Sequence, residues 1–139
     1  MSVECFIDSN VIIYAASAAA EDASKRVRAR ALLSASRFGI SAQVLQEVFV
    51  TVTRKARAPI PSRLALTWIE NFAVVPCVAV DYALVRTAIS ISGRFRISYW
   101  DAAIIAAAEE LGAKTLYTED LSHGQAYGSV TAINPFRGL

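Results

Sequence analysis

Five short apolar runs punctuate the chain, at residues 3–7, 38–40, 73–80, 114–117 and 130–133, and none is longer than a single strand needs. Longer stretches with helical spacing separate them. Asp8-Ser9-Asn10 opens a helical pattern in Val11, Ile12, Tyr14 and Ala15, and a second helix is expected over about 21–37, with Asp22 or a neighbour as N-cap. Ser41 is placed to cap a third helix, 42 to about 56, whose stripe of Val44, Leu45, Val48, Phe49 and Val52 has core-facing spacing and leaves Glu47 just beside it. Pro59-Ile60-Pro61-Ser62 leads into a fourth, through Leu64 and Trp68. Pro76 interrupts the run at 73–80, Asp81 caps a fifth helix that Gly93 is expected to break, and an Ala/Ile helix over 102–111 stops at Gly112. Strands alternating with helices predict an α/β fold with a largely parallel sheet.

At 139 residues the chain is sized for one domain, expected over 1–139. A hydrophobic share of 55% is above the usual for a soluble domain, which leaves apolar surface for a partner or an Ala-rich core to account for it. The formal charge of +2 is too small to announce nucleic-acid binding, so the distribution of charge must decide. Basic residues gather at 25–30, at Arg54, Lys55, Arg57 and Arg63, and at Arg94 and Arg96; any of these runs also suits a solvated helix face. Cys5 and Cys77 form neither a CxxC motif nor half of a zinc site and suit a reducing compartment. Glu4 and Asp8 are the reverse of a secretory leader's basic start, and no apolar run reaches the roughly 18 residues of a membrane span. The expected location is the cytoplasm, with no membrane partner.

Four acids fall where strands or helices meet. In an open parallel sheet, ligands bind beyond the carboxyl ends of the strands, the position of Asp8 and Asp120, while Asp101 begins one helix and Glu47 lies near the start of another. Singly, each has an ordinary structural use: Asp8 or Asn10 as a helix cap, Asp101 in a capping box with Ser98, Asp120 in a turn, Glu47 on a solvated face. Together they ask for a cation, because two carboxylates about 4 Å apart repel by roughly 4 kcal/mol at an effective dielectric near 20. Oxygen donors without His or Cys favour Mg²⁺ or Mn²⁺, and the chemistry that suits such an ion here is phosphodiester hydrolysis. His123, the single histidine, cannot supply both acid and base for a metal-free mechanism, and no phosphate-binding glycine loop is present.

These segments resemble, in order and at family spacing, the PIN-domain nucleases, specifically the VapC-type toxins of toxin-antitoxin pairs: FIDSNVIIYA around Asp8, SAQVLQEVFVTVTRK around Glu47, ISYWDAAIIAAAEELGA around Asp101, LYTEDLSHGQ around Asp120, and the closing INPF. The resemblance implies a three-layer α/β/α domain and Mg²⁺- or Mn²⁺-dependent endoribonuclease cleavage that leaves a 5′-phosphate and a 3′-hydroxyl. It implies catalysis by Asp8, Glu47, Asp101 and Asp120, with Asp8, Asp101 and Asp120 holding metal and Asn10 and Thr118 orienting them. Candidate RNA contacts are Arg94, Arg96, His123 and the basic cluster at 54–63; Tyr99 and Trp100 are further stacking candidates, with core packing preferred for Trp100. A homodimer and a cognate antitoxin lying across the acidic groove are implied as well.

Two alternatives stand beside this one. Asp8-Ser9-Asn10 is also a degenerate DxD motif of a haloacid-dehalogenase-type phosphatase with Asp8 as nucleophile, although Asn10 lacks the acid that motif needs. A catalytically inactive RNA- or partner-binding module is the non-enzymatic reading, against which stands the presence of all four acids.

Overall fold

The computed structural model describes residues 3–139, so residues 1 and 2 of the expected domain lie outside the described residues. The elements run β1 (Cys5–Ile7), α1 (Ser9–Ala16), α2 (Ala23–Ala35), β2 (Phe38–Ser41), α3 (Ala42–Val50), α4 (Ser62–Phe72), β3 (Cys77–Val78), α5 (Tyr82–Phe95), α6 (Tyr99–Glu110), β4 (Thr115–Tyr117), β5 (Ala126–Tyr127) and β6 (Val130–Ile133). The strands form one sheet in the order β3-β2-β1-β4-β6-β5, parallel except for β5, which pairs antiparallel with β6. Helices cover both faces, giving the three-layer α/β/α arrangement.

The interior strands are short and apolar because both faces are covered: Phe6, Ile7, Ile40, Leu116 and Val130 are completely buried. Helix α6 packs on β2, β4 and β6, with α5 against it. Every residue from Ala102 to Ala108 is buried, the signature of a helix enclosed on all sides, and the run of alanines keeps it slim enough to fit there.

Local capping chemistry sets several boundaries. The Ser41 hydroxyl accepts from the Val44 N–H (3.3 Å), the Asp81 carboxylate from Leu84 N–H (2.9 Å), and the Ser98 hydroxyl from Asp101 N–H (3.1 Å). Gly112, at φ 71°, follows the last turn of α6 as expected.

Other boundaries differ from the sequence expectation. Gly93 lies inside α5, which runs on to Phe95 and ends at Arg96 in the left-handed region (φ 56°). A helix tolerates one glycine when the burial of its apolar face (Leu84, Ala88, Ile91) outweighs the glycine's cost of about 1 kcal/mol. The third helix is regular only to Val50 and continues as a π-helical turn, Thr51–Lys55. Residues 73–80 yield only the two-residue β3, Pro76 having no N–H for the ladder. Asp22 precedes α2 without capping it through its side chain; the carboxylate instead accepts from the Ser17 hydroxyl (2.7 Å). Strand β5 was not expected: Ala126-Tyr127 is too short to show a pattern, and its pairing with β6 defines it. Both cysteines are free, and among the described residues no helix is long and apolar enough to cross a membrane.

Candidate active site

Strand order places the site. From β1 the chain builds outward through β2 and β3, then returns across the sheet to β4 on the other side of β1, so the switch point lies between β1 and β4. Asp8 leaves β1 there and Thr118 leaves β4, and the Asp8 N–H donates to the Tyr117 carbonyl (3.1 Å).

Asp8 is 4% exposed. One carboxylate oxygen accepts from the Ser9 N–H and the other from the Thr118 hydroxyl, each at 2.7 Å. Burial pushes the carboxyl up to about 7; the Thr118 and Ser9 hydrogen bonds oppose the shift, and the charges of Glu47 and Asp120 add to it. Asp8 stands at the N-cap position of α1, yet its side chain bonds only the first N–H of the helix, so capping does not account for its burial.

Thr118, fully buried, is the hub. Having donated to Asp8, its oxygen accepts from the Asn10 amide (3.3 Å) and from the Asp120 N–H (3.1 Å). The same Asn10 amide nitrogen donates to the Asp120 carboxylate (3.2 Å), while the Asn10 carbonyl oxygen is buried without a partner. Four residues from the exits of β1 and β4, Asp8, Asn10, Thr118 and Asp120, thus hold one another across more than a hundred positions of sequence.

The other two acids arrive on helices. The Gln43 amide, buried on α3, donates to Glu47 (3.4 Å) and to the Trp100 carbonyl (3.2 Å), tying α3 to the start of α6 immediately before Asp101. Sequence reasoning missed Gln43; its i, i+4 spacing to Glu47 was the available signal. The Asp101 carboxyl is raised by burial, lowered by Ser98 and raised again by Asp120. The charges of Glu47 and Asp120 therefore act on Asp8, and that of Asp120 acts on Asp101.

Among the described residues, no group of three His, Cys, Asp or Glu side chains converges tightly enough to hold an ion directly. The donor set nevertheless fits a hydrated hard cation. It consists of oxygens alone, includes the unpartnered Asn10 carbonyl, and leaves the Asp8 carboxylate short of positive charge. An ion such as Mg²⁺ keeps several waters and needs only one or two carboxylates.

Beside the acids opens a cleft of ≈ 340 Å³ lined by Ser9, Gln46, Glu47, Val50, Thr51 and Lys55. The π-helical turn explains why Lys55 is there. On an α-helix of about 3.6 residues per turn, the eight steps from Glu47 to Lys55 overshoot the Glu47 face by roughly 80°. The i→i+5 bond from Ala56 N–H to the Thr51 carbonyl (2.9 Å) unwinds the last turn and brings Lys55 back.

The remaining candidates are more scattered. The Arg94 guanidinium lies over the Phe95 ring (4.7 Å), with one nitrogen 4.0 Å from where a Cβ on Gly128 would stand, in the β5–β6 turn. Arg96 ends α5 two residues before the Ser98 cap. His123 accepts the Asn134 N–H on Nδ1 (3.0 Å), which braces the loop after β4. The basic run of α2 leaves Arg28 and Arg30 exposed, as a solvated face does, yet its cations also have partners within the fold. Arg26 donates to the Ser17 and Ala19 carbonyls, Arg30 to Ala15 and Arg28 to Pro135, while Lys25 pairs with Glu119 (3.1 Å) and packs over Tyr14. Trp100, expected in the core, is 65% exposed, and it is Tyr99 that packs against the core.

Comparison with known proteins agrees with this fold. A family model described as the PIN domain matches residues 5–128. No curated protein matches the sequence. Among solved structures, the chain is similar to Mycobacterium tuberculosis VapC20, described as a Sarcin-Ricin loop cleaving toxin, with a TM-score of 0.64 and 22% identity over 84% of this chain and 89% of that one. It is also similar to a toxin-antitoxin complex from Klebsiella pneumoniae (TM-score 0.69, 16% identity, 95% and 98% covered). VapBC2 from Rickettsia felis, bound to a DNA fragment from its promoter, gives a TM-score of 0.63 at 16% identity, with 92% and 96% covered. At these identities the likeness is one of fold.

Proposed function

The chain belongs to the PIN-domain family, and from that premise we propose that it is a metal-dependent endoribonuclease, the toxin of a toxin-antitoxin pair. The observation that carries this reading is the buried Asp8 at the switch point, hydrogen-bonded to Thr118, whose oxygen also takes Asn10 and the Asp120 N–H. Asp8 and Asp101 would hold Mg²⁺ or Mn²⁺ directly, with Asp120 and Glu47 reaching the ion through its waters. When bound, such an ion supplies charge neutralisation at the phosphodiester and a water acidified toward neutral pH. The chain's own residues do the rest. Thr118 fixes the rotamer of Asp8, Asn10 that of Asp120, and Gln43 holds Glu47 in register with the first turn of α6. Lys55, in the cleft beside Glu47, is placed to take a phosphate of the flanking strand, and Arg96 and His123 are kept as RNA contacts. Arg94 is retained as a contact for RNA passing the β5–β6 turn.

Toxin-antitoxin complexes among the similar structures support a cognate antitoxin, whose place across the acidic groove is part of the proposal. Exposed Leu64 and Leu66 on α4 support a homodimer as one use of the high apolar content. Two free cysteines suit the cytoplasm. The dehalogenase-type alternative loses its footing with the family match. The test is cleavage of short single-stranded RNA by the purified protein in Mg²⁺ or Mn²⁺. Cleavage should vanish in EDTA and in Asp8→Asn or Asp101→Asn. Equal cleavage in EDTA defeats the mechanism, and RNA binding without cleavage in any divalent ion favours the inactive module.

A further inference from the structure

We propose that Trp100 is the stacking platform for an unpaired base of the RNA, next to the bond that is cut. The inference rests on the nuclease reading and names how that site selects single-stranded substrate. Trp100 is 65% exposed, although an indole is among the most costly side chains to leave in water. Its neighbour Tyr99 takes the core position instead and meets the indole edge-on, with ring centroids 5.0 Å apart at 83°, which supports the indole from one side.

The backbone beneath it is anchored to the acids. The Trp100 carbonyl accepts from Gln43, whose amide also holds Glu47, and the next residue is Asp101. Consecutive helical side chains diverge by about 100° around the axis. The indole therefore leaves the helix on a different line from Asp101, one residue from the acidic pocket and in solvent, and leaves that pocket open. A flat, exposed aromatic fixed beside a phosphodiester-cleaving pocket is the arrangement that holds a splayed base by its π-face, and a paired base cannot reach it.

The experiment reads Trp100 directly. Fluorescein-labelled RNA of an unstructured sequence, alone or annealed to its complement, is titrated into the protein in Mg²⁺ and in EDTA, with anisotropy reporting binding and indole emission reporting stacking. Subtracting the Trp100→Phe signal removes the contribution of Trp68. Binding of the single strand should quench Trp100 emission, and the duplex should not. Trp100→Ala should weaken binding and raise KM about 5- to 150-fold, with kcat and Tm little changed and Trp100→Phe recovering most of the loss.

Binding and cleavage without quenching, or with KM unchanged in Trp100→Ala, overturn the platform and leave the nuclease reading intact. Quenching without cleavage in any divalent ion does the reverse. A blue shift of Trp100 emission with protein concentration alone, without RNA, assigns the indole to a contact between copies of this chain and overturns the proposal.

Discussion

Asp8 is the residue whose energetics most expose the site. Its carboxyl is raised from 3.8 in an unperturbed chain to about 7 in the fold, so between those values the folded protein holds a proton that the unfolded chain has released. The stability contributed is full below about pH 4 and is lost as pH rises through 7. At about 1.4 kcal/mol per pKa unit, the loss amounts to at most a few kcal/mol. We predict that Tm falls between pH 5 and pH 8, that Asp8→Asn flattens this decline, and that Mg²⁺ at pH 8 restores Tm in the native protein but much less in Asp8→Asn. Thermal melts across pH check all three, and an unchanged pH slope in Asp8→Asn would show that burial of this carboxylate is not the cause. Thr118→Val should lower Mg²⁺ affinity or cleavage about 10- to 100-fold, read by metal titration, because it frees the rotamer of Asp8 and strands the Asp120 N–H.

At the scale of elements, two glycines make opposite predictions. A Cβ on Gly93 meets nothing within 4 Å, so Gly93→Ala should stabilise the protein by about 0.5–1 kcal/mol in denaturant unfolding; a loss would mean that α5 is not continuous there. A Cβ on Gly39 would collide with the Leu111 side chain against β2, so the glycine there permits close packing. Three helix starts were legible in the sequence because a cap is a contact within three residues: Ser41, Asp81 and Ser98 act as their spacing indicates, whereas Asp22 turns to Ser17 instead. Helix ends and the edge hairpin were not. The continuation of α5 through Gly93, the π-helical end of the third helix and the pairing of β5 depend on neighbours distant in sequence.

For the whole molecule, a net charge of +2 leaves little long-range field to draw in RNA, and the arginines of α2 already bind backbone carbonyls at short range. Binding then rests on a few local cations. Lys55→Ala should weaken single-strand binding uniformly across sequences and reduce the slope of log affinity against log salt by about 0.7, measured by anisotropy at several salt concentrations. An unchanged slope would take Lys55 out of the RNA path.

The sequence by itself determined the alternation of strands and helices, the parallel sheet, and four acids at strand exits and helix starts, because periodicity and capping are local properties of the chain. The tertiary structure alone decided which groups meet. Asn10 reaches Thr118 and Asp120 only because β4 returns beside β1, and Gln43 joins Glu47 to Trp100 only because α3 and α6 converge at the sheet edge. The same packing turned Trp100 outward and spent the basic run of α2 on backbone carbonyls. Burial and charge contact are properties of three-dimensional neighbourhoods, and no spacing along the chain encodes them.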